Sequence, residues 1–201
     1  MKRGFTLVEM LVVIGIIVVL VGSGLGAYSR VQKAADKKRC QELVSNTATA
    51  LSALFQKEGS WPRSLRQRGA KDGELDEVAA YALARGGYMS LTTSNGRLGG
   101  NDRFGIVSPW ASAYIKRHGT SASRDAKVGL GSIKDHTLHF ALDLDGDGII
   151  EGASVGGETV DIRATAAVWC CGKDGIIEPY SQGLQKDDVY SWAVGQTRSV
   201  K

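Results

Sequence analysis

The N-terminal segment of this chain is apolar over almost its whole length. From Phe5 to Leu20 the sequence reads FTLVEMLVVIGIIVVL, in which Glu9 is the one charged residue, and VGSGLGAY extends it to Tyr28. A helix rises 1.5 Å per residue, so about 24 residues would be roughly 36 Å long, enough to cross a bilayer. We therefore predict that residues 5–28 insert into a membrane.

This segment differs from a secretory signal peptide, which has a basic start, an apolar core of about 7–15 residues and a small-residue cleavage site. Lys2 and Arg3 supply the basic start, but the apolar core is longer and no A-x-A pattern follows it. The small residues of Gly22–Ala27 leave cleavage there as an alternative. If the helix is retained, the positive-inside rule places Lys2 and Arg3 in the cytoplasm.

The residues around Glu9 carry a specific resemblance. Lys2–Met10 read KRGFTLVEM and resemble the class III signal sequence of type IV pilins and type II secretion pseudopilins. In that family a prepilin peptidase cuts after the glycine, on the cytoplasmic side of the membrane, and methylates the new amino terminus. The resemblance implies cleavage after Gly4, an N-methylated Phe5 at the start of the mature chain, and retention of the apolar helix.

Glu9 is the position at which a charge interrupts the apolar run. A carboxylate in hydrocarbon is costly, so an acid inside a membrane helix implies a partner or a function. The resemblance implies that Glu9 of an incoming subunit pairs with the N-terminal amine of a neighbouring subunit during assembly. Pairing two buried charges removes much of the cost of burying them. The alternative is that the Glu9 side chain extends to the lipid headgroups.

The helix that begins in the apolar run is predicted to continue into a polar region. Apolar residues recur at spacings of three and four between Val31 and Phe55, which is typical of an amphipathic helix. The sequence Gly59-Ser60-Trp61-Pro62 predicts that this helix ends near Lys57. We expect three segments: a leader peptide at residues 1–4, a transmembrane and filament-core helix at 5–28, and a periplasmic globular domain at 29–201.

The remaining patterns predict an α+β fold. We expect a short second helix at Glu74–Gly86 and mainly loops over residues 91–132, which are rich in Gly and Ser. Alternating apolar residues predict strands at His136–Leu142, Val160–Val168 and Val189–Val194. The expected architecture is a long N-terminal helix, membrane-spanning in its first half and amphipathic in its second half, packed on a small antiparallel β-sheet with a C-terminal metal-type loop.

The C-terminal segment resembles that of the major pseudopilins of type II secretion. Residues 171–175, CGKDG, are similar to their S-x-G-x-D-G turn, and residues 185–192, QKDDVYSW, are similar to their D-D-I/V run and tryptophan. Residues 59–62, GSWP, resemble their G-x-Y-P, and residues 102–114 hold a rearranged relative of their D-P-W-G-x-P-Y. The resemblance implies a calcium ion that orders the C-terminal loop and is bound by Asp174, Asp187 and Asp188.

A second acidic loop has the spacing of a calcium loop. Asp143, Asp145 and Asp147 place oxygen donors at alternate positions, with a glycine where the chain turns sharply. Glu151 falls at the ninth position of the loop, whereas Ser154 occupies the twelfth, where a bidentate glutamate is expected. We predict calcium as a cofactor of this protein; for this second loop, a turn without an ion is the alternative.

The three cysteines leave two interpretations open. In an oxidising compartment Cys40 could form a disulfide with either Cys170 or Cys171. Alternatively, the cysteines are small buried apolar residues. We interpret the histidines as structural or surface residues: His118, His136 and His139.

Enzymatic and nucleic-acid functions have little support. The chain has no H-E-x-x-H, G-x-S-x-G, P-loop or dinucleotide glycine motif, so we predict that it is not an enzyme. A net charge of +4 is too small on its own to argue for nucleic-acid binding. A DNA-uptake pilin would require the basic residues of 30–134 to gather on one outer face.

The resemblance implies a structural role as a subunit of a type II secretion pseudopilus, with a type IV pilus subunit for adhesion, motility or DNA uptake as the alternative. The subunit would first be a single-pass protein of the bacterial inner membrane, in contact with lipid, with its globular domain in the periplasm. It would then enter a periplasmic filament. The implied partners are other copies of the chain, minor pseudopilins, the prepilin peptidase and an inner-membrane assembly platform.

Overall fold

The computed structural model describes residues 7–89, 105–118, 123, 125–183, 187–192 and 197–199. The chain divides into two compact units, Met1–Asp36 and Lys37–Lys201.

Helix α1 spans Leu7–Glu58 and confirms the predicted end of the long helix near Lys57. It stops where Gly59 adopts a positive φ of 68° and its N–H donates to the carbonyl of Phe55 at 2.8 Å, the arrangement that glycine favours after a helix. We expected the first half of this helix to span a membrane. Among the residues that the structure describes, no helix combines the length and the apolar character needed for a membrane crossing.

Among the described residues of the second unit there are four shorter α-helices: α2 (Arg63–Arg68), α3 (Glu77–Arg85), α4 (Pro109–His118) and α5 (Tyr180–Gly183). The helix predicted at Glu74–Gly86 begins three residues late, because the Asp76 carboxylate accepts from the N–H of Ala79 at 3.0 Å and caps it there. The prediction of mainly loops over residues 91–132 is wrong for the part that forms α4 and for two short strands at residues 127–128 and 131–132. Proline at the first position of α4 fits a helix start, since its missing N–H is not needed there.

The strands are short and antiparallel: β1 (Gly73–Glu74), β2 (Lys127–Val128), β3 (Gly131–Ser132), β4 (His139–Leu142), β5 (Ile150–Val155), β6 (Glu158–Ile162), β7 (Ala166–Cys170), β8 (Val189–Tyr190) and β9 (Thr197–Ser199). They form a four-stranded sheet in the order β1-β4-β7-β8, a three-stranded sheet in the order β5-β6-β9, and the β2–β3 hairpin. We expected a single sheet, whereas the strands in the described part of the chain form three separate sheets.

The strand predicted at Val160–Val168 is divided between two sheets. Strand β6 ends at Ile162 and pairs with β5, whereas β7 begins at Ala166 and pairs with β4. Between them the N–H of Ala164 donates to the carbonyl of Ile162 at 3.0 Å, which turns the chain. An alternating pattern continues through this turn in the sequence, so the break was not predicted. Of the strand predicted at Val189–Val194, only the first two residues form β8. Ser191 and Trp192 do not continue the strand, and residues 193–194 lie outside the described part of the chain.

Strand β7 lies at the centre of the second unit, with both faces buried. Its residues Ala166, Val168 and Cys170 join the core that contains Cys40, Leu43, Val44, Leu51 and Leu54 of α1. Its alternate residues Ala167 and Trp169 join a second core with residues of β5, β6 and the C-terminal region. The amphipathic second half of α1 thus packs on one face of the four-stranded sheet, as its periodicity predicted.

Candidate functional site

The N-terminal signal is described only from Leu7 onwards, so the predicted processing residues Gly4 and Phe5 lie outside the described residues. Glu9 lies in the first turn of α1. The large apolar side chains that surround it are exposed along the helix, from Leu7 (81%) to Leu20 (64%). A continuous exposed apolar surface of this kind indicates contact with a membrane or with other protein chains.

The C-terminal acidic loop brings together the carboxylates of Asp174, Glu178 and Asp187, with one oxygen of each within 4.8 Å of the others. Asp174 accepts from the N–H of Ile176 at 3.0 Å, and Asp187 accepts from the N–H of Lys173 at 2.5 Å. These local contacts fold the loop back on itself. Two of the three predicted residues are therefore in this group, and Glu178 occupies the place expected for Asp188.

Asp188 is buried, and its carboxylate accepts hydrogen bonds from two main-chain N–H groups. One oxygen accepts from Gly172 and the other from Glu178, each at 3.0 Å. The Tyr190 hydroxyl also donates to it at 3.2 Å. Burial raises the pKa of Asp188 well above its usual range, and the neighbouring Glu178 carboxylate adds to this effect. Asp188 thus anchors the two sides of the loop.

The β2–β3 hairpin also contacts the acidic loop. The N–H groups of Leu130 and Gly131 both donate to the carbonyl of Asp174, at 3.0 and 2.8 Å. Gly129 has a positive φ of 67°, and a Cβ added there would lie 2.5 Å from the carbonyl oxygen of Lys173. The hairpin and the loop therefore approach each other so closely that a side chain at Gly129 would separate them.

The second acidic loop groups Asp143, Asp145 and Asp147, and Glu151 is not part of this group. Asp143 is buried, and its two oxygens accept from the N–H groups of Gly146 and Gly148 at 2.7 and 2.8 Å. Asp145 and Asp147 are exposed. The indole of Trp61 donates to the carbonyl of Asp143, which attaches this loop to the chain beyond α1. Asp143 therefore has a clear structural role in closing the turn.

The three histidines have structural or surface positions, as the sequence analysis expected. His136 is buried, and its Nε2 lies 3.0 Å from the carbonyl of Val128. A carbonyl only accepts, so Nε2 carries the proton and Nδ1 accepts from the Ser108 hydroxyl at 3.0 Å. Burial lowers the pKa of His136. His139 contacts the Asp72 carboxylate, and His118 is exposed on α4.

The cysteines combine the two interpretations that the sequence left open. All three are buried, and Cys40 of α1 forms a disulfide with Cys170 of β7. Cys171 has a free thiol, whose sulfur lies 3.1 Å from the carbonyl of Asp135. All three cysteines are therefore buried, as one interpretation expected, and two of them also form a disulfide, as the other expected.

Residues 1–25 match the family model described as the prokaryotic N-terminal methylation motif. Neither a curated protein nor a solved structure matches the chain. The motif includes Gly4, Phe5 and Glu9, the residues that the sequence analysis assigned to processing and assembly. It is a type IV pilin-like prepilin signal, and it implies a pilin-like protein that is processed by a prepilin peptidase.

Proposed function

We propose that this chain is a structural subunit of a type II secretion pseudopilus. The observation that carries the proposal of a pilin-like subunit is the methylation motif at residues 1–25, in which an acid follows the cleavage site inside an apolar run. The resemblance of residues 171–175 and 185–192 to the major pseudopilins favours a pseudopilus over a pilus. The prepilin peptidase cuts after Gly4 and methylates Phe5. The mature subunit then has a charged amine at its first residue and a carboxylate at Glu9.

The exposed apolar surface of α1 supports both stages of this function. Before assembly, residues 5–28 anchor the chain in the inner membrane, with the second unit in the periplasm. During assembly the same surface packs against α1 of other copies in the filament, because a contiguous apolar surface is most stable away from water. Minor pseudopilins, the peptidase and an inner-membrane platform are the other partners that this function requires.

The Glu9 carboxylate sets the register between copies in this proposal. An amine and a carboxylate in an apolar environment are each costly alone, and their pairing offsets part of that cost. A subunit that enters the filament at the wrong height leaves both charges without their counterpart. The energetic penalty favours one axial position over its neighbours.

Calcium at the C-terminal loop is part of the proposal, and the donor set fits it. Calcium binds six to eight oxygen ligands with flexible geometry, and Asp174, Glu178 and Asp187 offer three carboxylates within 4.8 Å. Carboxylates this close repel one another, and a divalent cation neutralises them. In this site Asp174, Glu178 and Asp187 hold the ion, whereas Asp188 holds the main chain of the loop.

A deletion strain tests this function and separates it from its alternative. Without the chain, a strain that uses it in a pseudopilus accumulates its secreted proteins in the periplasm and keeps its surface pili. Restoration by the wild-type chain, but not by a Glu9→Ala variant, assigns the effect to assembly. Loss of surface pili, twitching motility or DNA uptake with normal secretion would instead show a type IV pilus subunit. Normal secretion together with normal pili would overturn both functions.

A further inference from the structure

The disulfide joins two distant parts of the sequence inside one core. Cys40 lies on α1 and Cys170 ends β7, 130 residues later, and both side chains have no exposed surface. Their neighbours in the core are apolar residues of α1 and of the four-stranded sheet. The bond therefore connects the helix that carries the N-terminal signal to the central strand of the second unit.

Strand geometry explains why Cys170 rather than Cys171 is bonded. Side chains alternate between the two faces of a strand. Ala166, Val168 and Cys170 face the core that α1 completes, whereas Ala167 and Trp169 face the second core. Cys171 follows the strand and contacts the carbonyl of Asp135 and the ring of His136, at 3.1 and 3.4 Å. The fold therefore determines that Cys40 pairs with Cys170, although Cys171 is adjacent to Cys170 in the sequence.

The same environment keeps Cys171 as a thiol. Burial, with additional repulsion from neighbouring carboxylates, raises the pKa of Cys171. The thiolate is the form that attacks a disulfide, so this thiol is a poor nucleophile in the folded chain. Exchange between Cys171 and the adjacent Cys170 is therefore slow once the core has closed.

We propose that the Cys40–Cys170 bond is introduced during folding by a protein thiol–disulfide oxidant of an oxidising compartment, and that it fixes α1 to β7 before the subunit is assembled. The oxidant contributes its own disulfide. One cysteine thiolate of the chain attacks it to form a mixed disulfide, and the second thiolate then displaces the oxidant. The two cysteines lose two protons and two electrons, and the oxidant leaves as a dithiol.

Burial of both sulfurs sets the order of events. An enzyme cannot reach a fully buried sulfur, so the exchange occurs before α1 closes over the sheet. Disulfides persist in oxidising compartments and are rare in the cytosol, which agrees with a second unit placed outside the cytoplasm. The role in assembly rests on the proposed function: force applied to α1 as the subunit leaves the membrane is transmitted to β7 through a covalent bond.

Peptide mapping of the full chain, purified from membranes in mild detergent with free thiols blocked, tests the bond itself. We expect one cross-linked peptide pair containing Cys40 and Cys170, and a blocked thiol on Cys171. Chain recovered from cells that lack the oxidant should carry three blocked thiols. A bond to Cys171 in wild-type cells, or three thiols in those cells, would overturn the proposal, as would full oxidation without the oxidant.

Variants test what the bond does. Cys40→Ser, Cys170→Ser and the double variant should each lower the melting temperature by at least about 5 °C, because any one change removes the whole bond. All three should reduce filament yield, whereas Cys171→Ala should keep the bond and the yield. The wild-type chain is also unfolded, reduced and refolded. If the reduced chain then melts at the same temperature as the oxidised chain, the bond does not stabilise the attachment of α1 to β7. The peptide map does not depend on filaments, so it distinguishes failure of this proposal from failure of the proposed function.

Discussion

At the scale of single residues, Gly4 is the position with the strictest chemical requirement in the signal. The peptidase must accommodate the residue before the scissile bond, and glycine has no side chain. We predict that Gly4→Leu leaves an uncut precursor in the inner membrane, whereas the wild-type chain begins at N-methylated Phe5. Intact-mass spectrometry distinguishes the two. Gly15→Leu is the matched control, since a Cβ there has no neighbouring atom within 4 Å and cleavage should be normal.

Glu9 is the second residue with a predicted role, and its replacement should separate insertion from assembly. Glu9→Ala removes a charge from the apolar run, so the chain should still enter the membrane and be cleaved. Filament yield, measured by shearing and immunoblotting, should fall at least tenfold, because the neighbour's amine loses its partner. Glu42→Ala, which removes an exposed acid from the same helix, should assemble normally. Wild-type yield from Glu9→Ala would show that Glu9 has no part in assembly.

His136 gives a prediction on pH dependence. Burial holds the pKa of His136 in the folded state below the ordinary histidine value of about 6.5, so the folded state binds fewer protons than the unfolded state in acid. Stability from the neutral ring is therefore present above about pH 6.5 and is lost as the pH falls below it, by at most about 1.4 kcal/mol per pH unit.

The matching variant is His136→Gln. At pH 7 it should lower the free energy of unfolding by about 1–3 kcal/mol, because Ser108 and Val128 lose a buried partner. Its deficit relative to wild type should shrink between pH 7 and pH 5, as measured by urea unfolding. His118→Gln changes an exposed residue, and the difference between its free energy of unfolding and that of the wild type should be the same at each pH over this range. A deficit that is constant with pH would contradict the assignment.

At the scale of elements, local sequence signals predicted where a helix ends better than where a strand is interrupted. The end of α1 followed from Gly59 and Pro62, which act within one turn of the helix. The turn between β6 and β7 did not follow, because it depends on which sheet each strand joins. Glu178 was missed for a related reason. It follows Asp174 in the sequence DGIIE, which also occurs at 147–151, and this repeat was the available signal.

The C-terminal loop gives a prediction that distinguishes residues that bind the calcium ion from a residue that holds the main chain of the loop. Saturating calcium should raise the melting temperature of the full chain by roughly 5–10 °C over a chelator control, because it binds only the folded state. Asp174→Asn, Glu178→Gln and Asp187→Asn should each remove most of this rise. Asp188→Asn should instead lower the melting temperature with and without calcium, since it loses main-chain contacts.

The other acidic loop supplies the control for this experiment. Asp145→Asn and Asp147→Asn change exposed carboxylates and should keep the full calcium response. If these two variants lose the response and the three C-terminal variants keep it, the ion binds at the second loop. If no variant changes it, neither loop binds calcium.

At the scale of the whole molecule, the α+β class and the packing of α1 on a sheet could be predicted from periodicity alone. The apolar residues that face the core recur at regular spacings along each helix or strand, so the sequence of that element contains the pattern. The partition of the strands into three sheets could not be predicted, since it is set by pairings between distant residues such as Gly73 with Phe140. The choice of Cys170 over Cys171 depends on the same pairings. The N-terminal signal, by contrast, lies within the consecutive residues 1–25 and needs no tertiary contact to be recognised.

The distribution of buried residues predicts that the second unit folds without the signal. Among the described residues before Cys40 none is buried, whereas Cys40, Leu43, Val44, Leu51 and Leu54 all join the core. A chain of residues 29–201 should therefore melt cooperatively, within about 2 °C of the full chain, and remain monomeric because it lacks the apolar surface of α1. A chain of residues 43–201 loses Cys40 and its disulfide, and should melt at a temperature lower by about 5 °C or more. Calorimetry and light scattering measure both properties. If residues 29–201 failed to melt cooperatively while the full chain did so, the first unit would have to contribute to the core.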